Sequence, residues 1–165
     1  MKLREPISSD ADWITRACQD PDIQRWTTVP VPYRRPDADA FIATWAGSLL
    51  TRAVVDAATD DGLAMAAIHR ITDGDAEIGY WVAPWARRQG VATWATLAMV
   101  DIAAAMDHVV SASLDISIHN PASQAVAHAA GFVPGKTPES LTVPDRDSNG
   151  DGESAAVRFV RTLRR

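Results

Sequence analysis

Sulfur is scarce in this chain: Cys18 is the only cysteine among 165 residues. No intrachain disulfide can form, and a cysteine cage for zinc is excluded, which fits a reducing compartment. Positive charge is also in deficit. Sixteen Lys and Arg face 21 Asp and Glu, giving a net charge of −5, whereas a protein that coats nucleic acid or an anionic membrane needs a basic surface. Neither partner is expected, and any basic patch must be local. Long hydrophobic runs are missing too. The longest apolar stretch, 92–100, is too short to span a bilayer, and Met1-Lys2-Leu3-Arg4-Glu5-Pro6 lacks the apolar core of a secretory signal, so a cytoplasmic protein is expected. No histidine–carboxylate pairing has metal-ligand spacing, no repeat recurs and no linker divides the chain. With 47% hydrophobic residues, positions 1–165 are expected to form one domain around a single core.

What is present reads as alternating strands and helices. A first strand is expected at 2–4, then an N-cap at Ser8 or Ser9 and a helix over 10–20 with Trp13, Ile14 and Ala17 on its apolar face, stopped by Pro21. Pro30, Pro32 and Pro36 mark 27–36 as an irregular loop, after which a helix to about residue 50 would bury Phe41, Ile42, Trp45 and Leu49. Strands near 52–57, 63–71 and 76–82, separated by Asp60-Asp61-Gly62 and Asp73-Gly74, read as antiparallel. A helix over 90–106, a strand over 109–118, a helix over 121–130 and strands around Phe132 and 155–163 complete the order. Positions 144–153 form a polar, acidic loop between the last strands.

The densest information lies in Gly79-Tyr80-Trp81-Val82-Ala83-Pro84-Trp85-Ala86-Arg87-Arg88-Gln89-Gly90-Val91-Ala92-Thr93. A strand pattern breaks at Pro84, and helical spacing begins after Gly90 with Val91, Trp94, Ala95, Ala98 and Ile102. An arginine-rich turn on a helix N-terminus suits a diphosphate. The first N–H groups of a helix lack intrahelical partners and the helix dipole adds positive charge there. Gly90 allows close backbone approach, Ala92 keeps the first turn uncrowded, and Arg87 and Arg88 can add charge-assisted hydrogen bonds. The pattern Arg87-x-x-Gly90-x-Ala92 resembles the acyl-CoA pyrophosphate loop of the GNAT N-acetyltransferases. A second block, 116–132, is similar to that family's later strand, its Asn-x-x-Ser helix (Asn120, Ser123) and its closing Gly131-Phe132. Ile-Gly-Tyr-Trp-Val at 78–82 and Val31-Pro32-Tyr33 favour the RimJ/RimL-like branch, and the order of elements agrees from residue 2 to residue 132.

The resemblance implies an α/β (α+β) fold: a mixed, mostly antiparallel sheet flanked by helices, with strands splayed to admit acetyl-CoA. It implies that Arg87, Arg88, Gln89, Gly90, Val91, Ala92 and Thr93 hold the diphosphate, that Val82 offers backbone hydrogen bonds to the pantetheine arm, and that Asn120 and Ser123 face it. The expected activity is acetyl transfer from acetyl-CoA to a primary amine, either a protein N-terminal α-amine or a small molecule. The alternative is an acyl-CoA-binding sensor without catalysis. Homodimerisation and the identity of the acyl group are left open.

Acetyl transfer needs a neutral amine, a stabilised oxyanion, a departing thiolate and in-line positioning. The Val82 N–H is the candidate oxyanion contact. Many GNAT enzymes have a tyrosine leaving-group donor at the position held here by Ala127, so that role shifts to Ser123, a poor acid that can still donate a hydrogen bond to developing thiolate. Strand alternation puts Glu77, Gly79 and Trp81 on one face and Ile78, Tyr80 and Val82 on the other. Glu77 is thus the leading base candidate, with His69 or water as alternatives; a solvated glutamate and a packing histidine are the plainer readings. His119 and His128 rank lower. Tyr33, Trp81 and Trp85 could line the acceptor channel or belong to the core, and His69 joins Tyr33 and Trp81 as a substrate-side candidate. Cys18 lies on the first helix without an evident partner, so a covalent acetyl-cysteine route is not expected. The segment beginning Asp145-Arg146-Asp147 opens like a calcium loop, but its twelfth position is Ala156 and no helices flank it, so no metal is expected; it reads as a solvated hairpin tip or as an acidic wall that attracts a cationic amine substrate.

Overall fold

A computed structural model describes residues 1–45, 50–146 and 152–163. The chain runs β1 (Lys2–Arg4), a 3₁₀ turn (Ser8–Asp10), α1 (Ala11–Cys18), α2 (Pro21–Trp26), α3 (Arg35–Trp45), β2 (Thr51–Val55), β3 (Gly62–Thr72) and β4 (Asp75–Val82). A 3₁₀ turn (Pro84–Ala86) then leads to α4 (Val91–Ala104), β5 (Ser111–Ser117), α5 (Pro121–Ala129), β6 (Val133–Pro134), β7 (Thr142–Pro144) and β8 (Glu153–Thr162). The strands form one sheet in the order β1-β2-β3-β4-β5-β8-β6, with β7 paired to β8. Every pairing is antiparallel except β4–β5. The mixed, mostly antiparallel sheet flanked by helices is therefore as expected.

Two boundaries differ from the sequence reading. Pro21 does not simply stop the first helix; it occupies the first turn of α2, where a missing N–H costs nothing, and Asp20 caps that helix by accepting from the N–H groups of Asp22 and Ile23, both at 3.1 Å. The last hairpin contains β7, a strand too short and too proline-bounded to show a period. The third helix is described only to Trp45, and Leu49 lies outside the described residues, as does most of the calcium-like segment (147–151).

The join between β4 and β5 decides the architecture. Their parallel pairing covers three residue pairs, Asp75 with Ser111, Ala76 with Ala112 and Glu77 with Ser113. Asp75 locks this closed end by accepting from the hydroxyls of Ser111 and Ser113, both at 2.5 Å. Beyond Glu77 the strands part. On the other side of β4, the β3 ladder slips at the same level, because Ile68 pairs with Ile78 but Arg70 pairs with Glu77 and leaves His69 as an extra residue. A bulge bends and over-twists its strand, so the bend sits where β4 leaves β5. β5 follows β8 instead, paired over seven residues from Ser111 to Ser117.

Helix α4 packs across β3 and β4, α5 packs on α4 and β5, and α1 packs on α2 and α3. The core combines Ile14, Val54, Ile68, Met99, Leu114, Phe132 and Phe159. Asp10 is an acidic hub in this packing, 2% exposed. It accepts from Arg4 at 2.7 and 2.8 Å, from the Ile7 N–H at 2.8 Å and from the Trp13 indole at 2.8 Å. Burial alone would raise its carboxyl, but Arg4 and these donors outweigh burial and hold it below the usual aspartate value. Among the described residues, no helix is long and apolar enough to cross a membrane.

Candidate active site

The gap between β4 and β5 opens into a cleft of about 1590 Å³ that runs from the start of α4 to helices α2 and α3. At one end lies the turn 87–90. Arg88 and Gly90 both take positive φ, +61° and +74°, and such alternation aims successive N–H groups into one concavity. Gly90 caps α4 without a side-chain hydrogen bond, and its carbonyl accepts the first helical bond, from Trp94 at 3.0 Å. The N–H groups of Val91, Ala92 and Thr93 therefore have no intrahelical partner. Nothing lies within 4 Å of where a Gly90 Cβ would stand, so the open space beside it is available to a ligand. These features fit a diphosphate.

The side chains of this turn are less uniform than the motif suggests. Arg87 is turned away from the helix start: it pairs with Asp20 and, at 3.0 Å, with Asp22, tying the turn to the head of α2. In this structure the Arg87 guanidinium is engaged by the Asp20 cap and Asp22 rather than directed at the helix start. Gln89 folds back on the Trp85 carbonyl at 3.1 Å and Val91 is buried, so both can contribute only main chain. Arg88 is exposed and carries no ion pair among the described residues. Ala92 and Thr93 line the cleft.

Strand geometry defines the middle of the site. The Ala83 N–H donates to Leu63 of β3 at 2.9 Å, so alternation turns the Val82 N–H to the opposite edge, where β5 has departed. Across the gap, the Asn120 side chain caps α5 by accepting from the Ser123 N–H at 3.0 Å, which commits that oxygen to the helix. The Ser123 hydroxyl meets the Tyr80 hydroxyl at 2.9 Å. Burial pushes the Tyr80 phenol up to about 12, partly offset by Ser123. The sequence expectations do not include Tyr80, because the tyrosine of many related enzymes falls at position 127, which is filled here by a buried alanine. The signal for Tyr80 was available: it shares the strand face of Val82, two residues earlier.

On the other strand face, the His69 imidazole lies directly over Gly79, where an added Cβ would stand 2.0 Å from Nε2. Only glycine admits that ring position. His69 opens to the cleft, yet partial burial holds it below the ordinary histidine value despite the raising influence of Glu77. Glu77 sits at the fork of the strands, paired with Arg70 at 2.6 Å. Asp115 is locked to Arg158 through two hydrogen bonds of 2.7 and 2.6 Å. Trp81 lines the cleft and stacks on Trp13, with centroids 5.7 Å apart.

Tyr33, Cys18 and Trp85 are engaged in packing rather than turned into the open cleft. Tyr33 reaches the cleft wall but is 4% exposed, its phenol raised by burial and set against Cys18. Cys18 is itself buried, and its thiol is pushed up to about 12, so it stays protonated. Trp85 leaves the site altogether: its indole donates to the Gly62 carbonyl at 2.9 Å, and Arg16 lies over its ring at 4.0 Å. His119 is exposed at the end of β5, and His128 packs edge-on to Phe159. Among the described residues, no group of His, Cys, Asp and Glu could hold a metal ion.

Comparison with known proteins agrees with this fold. Residues 1–133 match the family described as Acetyltransferase (GNAT) domain. No curated protein is significantly similar in sequence. Among solved structures, RimL, a ribosomal L7/L12 alpha-N-protein acetyltransferase in complex with coenzyme A, superposes with a TM-score of 0.76 at 15% identity, covering 98% of this chain and 93% of its own. Spermidine N-acetyltransferase from Vibrio cholerae, in complex with CoA and spermine, gives 0.72 at 18% identity, covering 98% and 95%. AAC(6')-Ib, in complex with ribostamycin and coenzyme A, gives 0.71 at 18%, covering 98% and 92%. At these identities the likeness establishes the fold alone.

Proposed function

Because the chain belongs to the GNAT acetyltransferase family, in its RimJ/RimL-like group, we propose that it moves the acetyl group of acetyl-CoA directly to a primary amine in the cleft between β4 and β5. The observation that carries this reading is the alignment of three features along one gap. These are the unpartnered N–H groups at the start of α4, the inward Val82 N–H, and the paired hydroxyls of Tyr80 and Ser123. The first suits a diphosphate, the second a carbonyl oxygen and the third a leaving thiolate.

The residues divide the work as follows. The main chain of 88–93 binds the diphosphate through N–H groups and the α4 dipole. The Val82 N–H donates to the thioester oxygen as it becomes an oxyanion; removing such a donor typically costs ~3 kcal/mol of transition-state stabilisation. The Tyr80 phenol donates to the sulfur, and Ser123 orients its hydroxyl. His69, neutral over most of the physiological range, takes the amine proton directly or through water. Glu77 acts on His69 from beside it rather than as the base, since its carboxylate is engaged by Arg70.

Mixing the protein with acetyl-CoA, a panel of primary amines and a thiol-reactive dye tests the reading. Amine-dependent thiol release is expected, and it should fall when Tyr80→Phe is introduced without loss of CoA binding.

A further inference from the structure

Glycine weakens the middle of a strand unless the backbone needs a left-handed turn or another group must come close. Gly79 sits in β4 opposite Ala67 of β3, and its φ lies outside the left-handed region. Close approach is what remains. A Cβ on Gly79 would stand 2.0 Å from the His69 Nε2, 2.7 Å from Cδ2 and 3.1 Å from Cε1, so it would overlap the far edge of the imidazole. The bulge in β3 brings the ring there. Without the slip between Ile68 and Arg70, His69 would stand opposite Glu77. The slip gives that place to Arg70, whose guanidinium meets the Glu77 carboxylate at 2.6 Å. The imidazole is set instead over the next position on the same strand face. Because Glu77, Gly79 and Trp81 alternate along that face, the missing side chain of Gly79 is a slot between a carboxylate and an indole. All of these residues line the cleft.

We infer that Gly79 is a positioning residue: by carrying no side chain it holds the His69 imidazole in the slot between Glu77 and Trp81, where the ring can take the acceptor's proton. The inference rests on the acetyl-transfer reading for what the ring does, but the placement of the ring is independent of that reading. Tyr80 and Val82 occupy the opposite face of β4. The group that accepts the amine proton and the group that meets the thiolate therefore stand on opposite sides of one strand. Positioning of this kind is demanding, since a misplacement of about 1 Å can cost about a hundredfold in rate. The atoms that a Gly79 side chain would strike are the far end of a rotatable side chain, so the ring turns out while the backbone stays. Gly79→Ala thus moves the imidazole without removing it. The charged groups acting on the ring are Glu77 of β4, which raises its pKa, and Arg70 of β3, which lowers it; burial lowers it most. Across the fork, Asp115 of β5 is paired with Arg158 of β8. A ring turned out to solvent loses the burial and titrates closer to 6.5.

The test titrates the imidazole protons by NMR in the parent protein and in Gly79→Ala, with His69→Ala identifying the His69 resonance. In parallel it measures folding by denaturant titration and kcat/KM for a primary amine that the parent protein acetylates, in both single variants and in the double variant. We expect the His69 pKa to rise toward 6.5 in Gly79→Ala and kcat/KM to fall about tenfold or more. Once His69 is alanine, adding Gly79→Ala should cause no further loss. Gly79→Ala that unfolds only while His69 is present would also uphold the inference, because it shows that the ring and a Cβ cannot share the slot. An unchanged His69 titration in folded Gly79→Ala would overturn it. So would a further loss of kcat/KM, or unfolding, when Gly79→Ala is added to His69→Ala. The titration needs no turnover, so it decides the placement even where no amine is acetylated. A shifted titration with undiminished turnover would uphold the placement and remove His69 as the base instead.

Discussion

Along the wall proposed to hold the coenzyme, at 82, 88–93 and 120–123, the groups at the cleft are main-chain N–H donors and, Arg88 apart, small side chains, held by positive-φ turns and helix caps. The acceptor wall is built instead from large side chains that arrive from separate elements: Trp26 from α2, Phe41 and Trp45 from α3, His69 from β3 and Trp81 from β4. On the proposed function, one wall recognises a constant ligand through backbone shape, and the other can change its ligand by changing side chains without disturbing the fold. The two are hinged on the three-pair β4–β5 junction and the bulge at His69.

The comparison can be broken first at the backbone. Gly90→Val should weaken CoA binding about a hundredfold or more by calorimetry. It combines left-handed strain of roughly 1–2 kcal/mol with a branched side chain placed in the open space beside the helix N-terminus. A folded variant with unchanged affinity would show that this turn does not hold the diphosphate. A comparable loss, this time in stability, is expected beneath the acceptor wall. Asp10→Ala should cost about 3 kcal/mol in denaturant titration, because Arg4 and the Trp13 indole lose a buried partner. The Asp10 carboxyl is depressed in the folded state from 3.8. Its stabilisation is therefore full above that value and disappears as pH falls through the lower folded one. The Asp10→Ala variant should lack this part of the acid-induced decline.

Tyr80→Phe sharpens the division within the coenzyme wall. It should lower kcat roughly tenfold, the scale of ~1–2 kcal/mol for one hydrogen bond, with little change in KM for acetyl-CoA, because a bond to sulfur strengthens only as charge develops. Ser123→Ala should cost less, and the double variant should be less than additive. The thiol pKa of bound CoA, read by thiolate absorbance, should rise in Tyr80→Phe; no rise would reduce Tyr80 to a packing role. The smallest expected effect concerns the base. With His69 below its ordinary 6.5, the acidic limb of kcat/KM should fall below that pH and vanish in His69→Gln. Glu77→Gln should move the limb to still lower pH, since it removes the charge that raises His69. A limb unaffected by either change would leave bulk water as the base.

The two walls also differ in how much of them can be read from the chain. A diphosphate site demands Gly90 at a positive φ and a helix start just after it, and those demands are local, so they leave a contiguous motif. The order of strands was equally readable, since alternation and the Asp73-Gly74 turn are local signals. Tyr33 and Trp85 show where local reading stops. Both are aromatic and near site motifs, but only the packing of α1 and β3 turns one toward Cys18 and the other toward Gly62. The pairing of Arg87 is hidden for a similar reason, because its partners Asp20 and Asp22 lie more than sixty positions away. Tyr80 needed the converse step, since the fold carries its hydroxyl to Ser123 across the gap.

Acetyl transfer itself is tested most directly by incubating the protein with acetyl-CoA and a turnover-competent amine while measuring acetylated amine by mass spectrometry and free thiol in the same sample. The account predicts equal amounts of the two products, formed only when amine, acetyl-CoA and protein are all present. Tight CoA binding with no acetylated amine across the panel would contradict it and identify the chain as an acyl-CoA sensor.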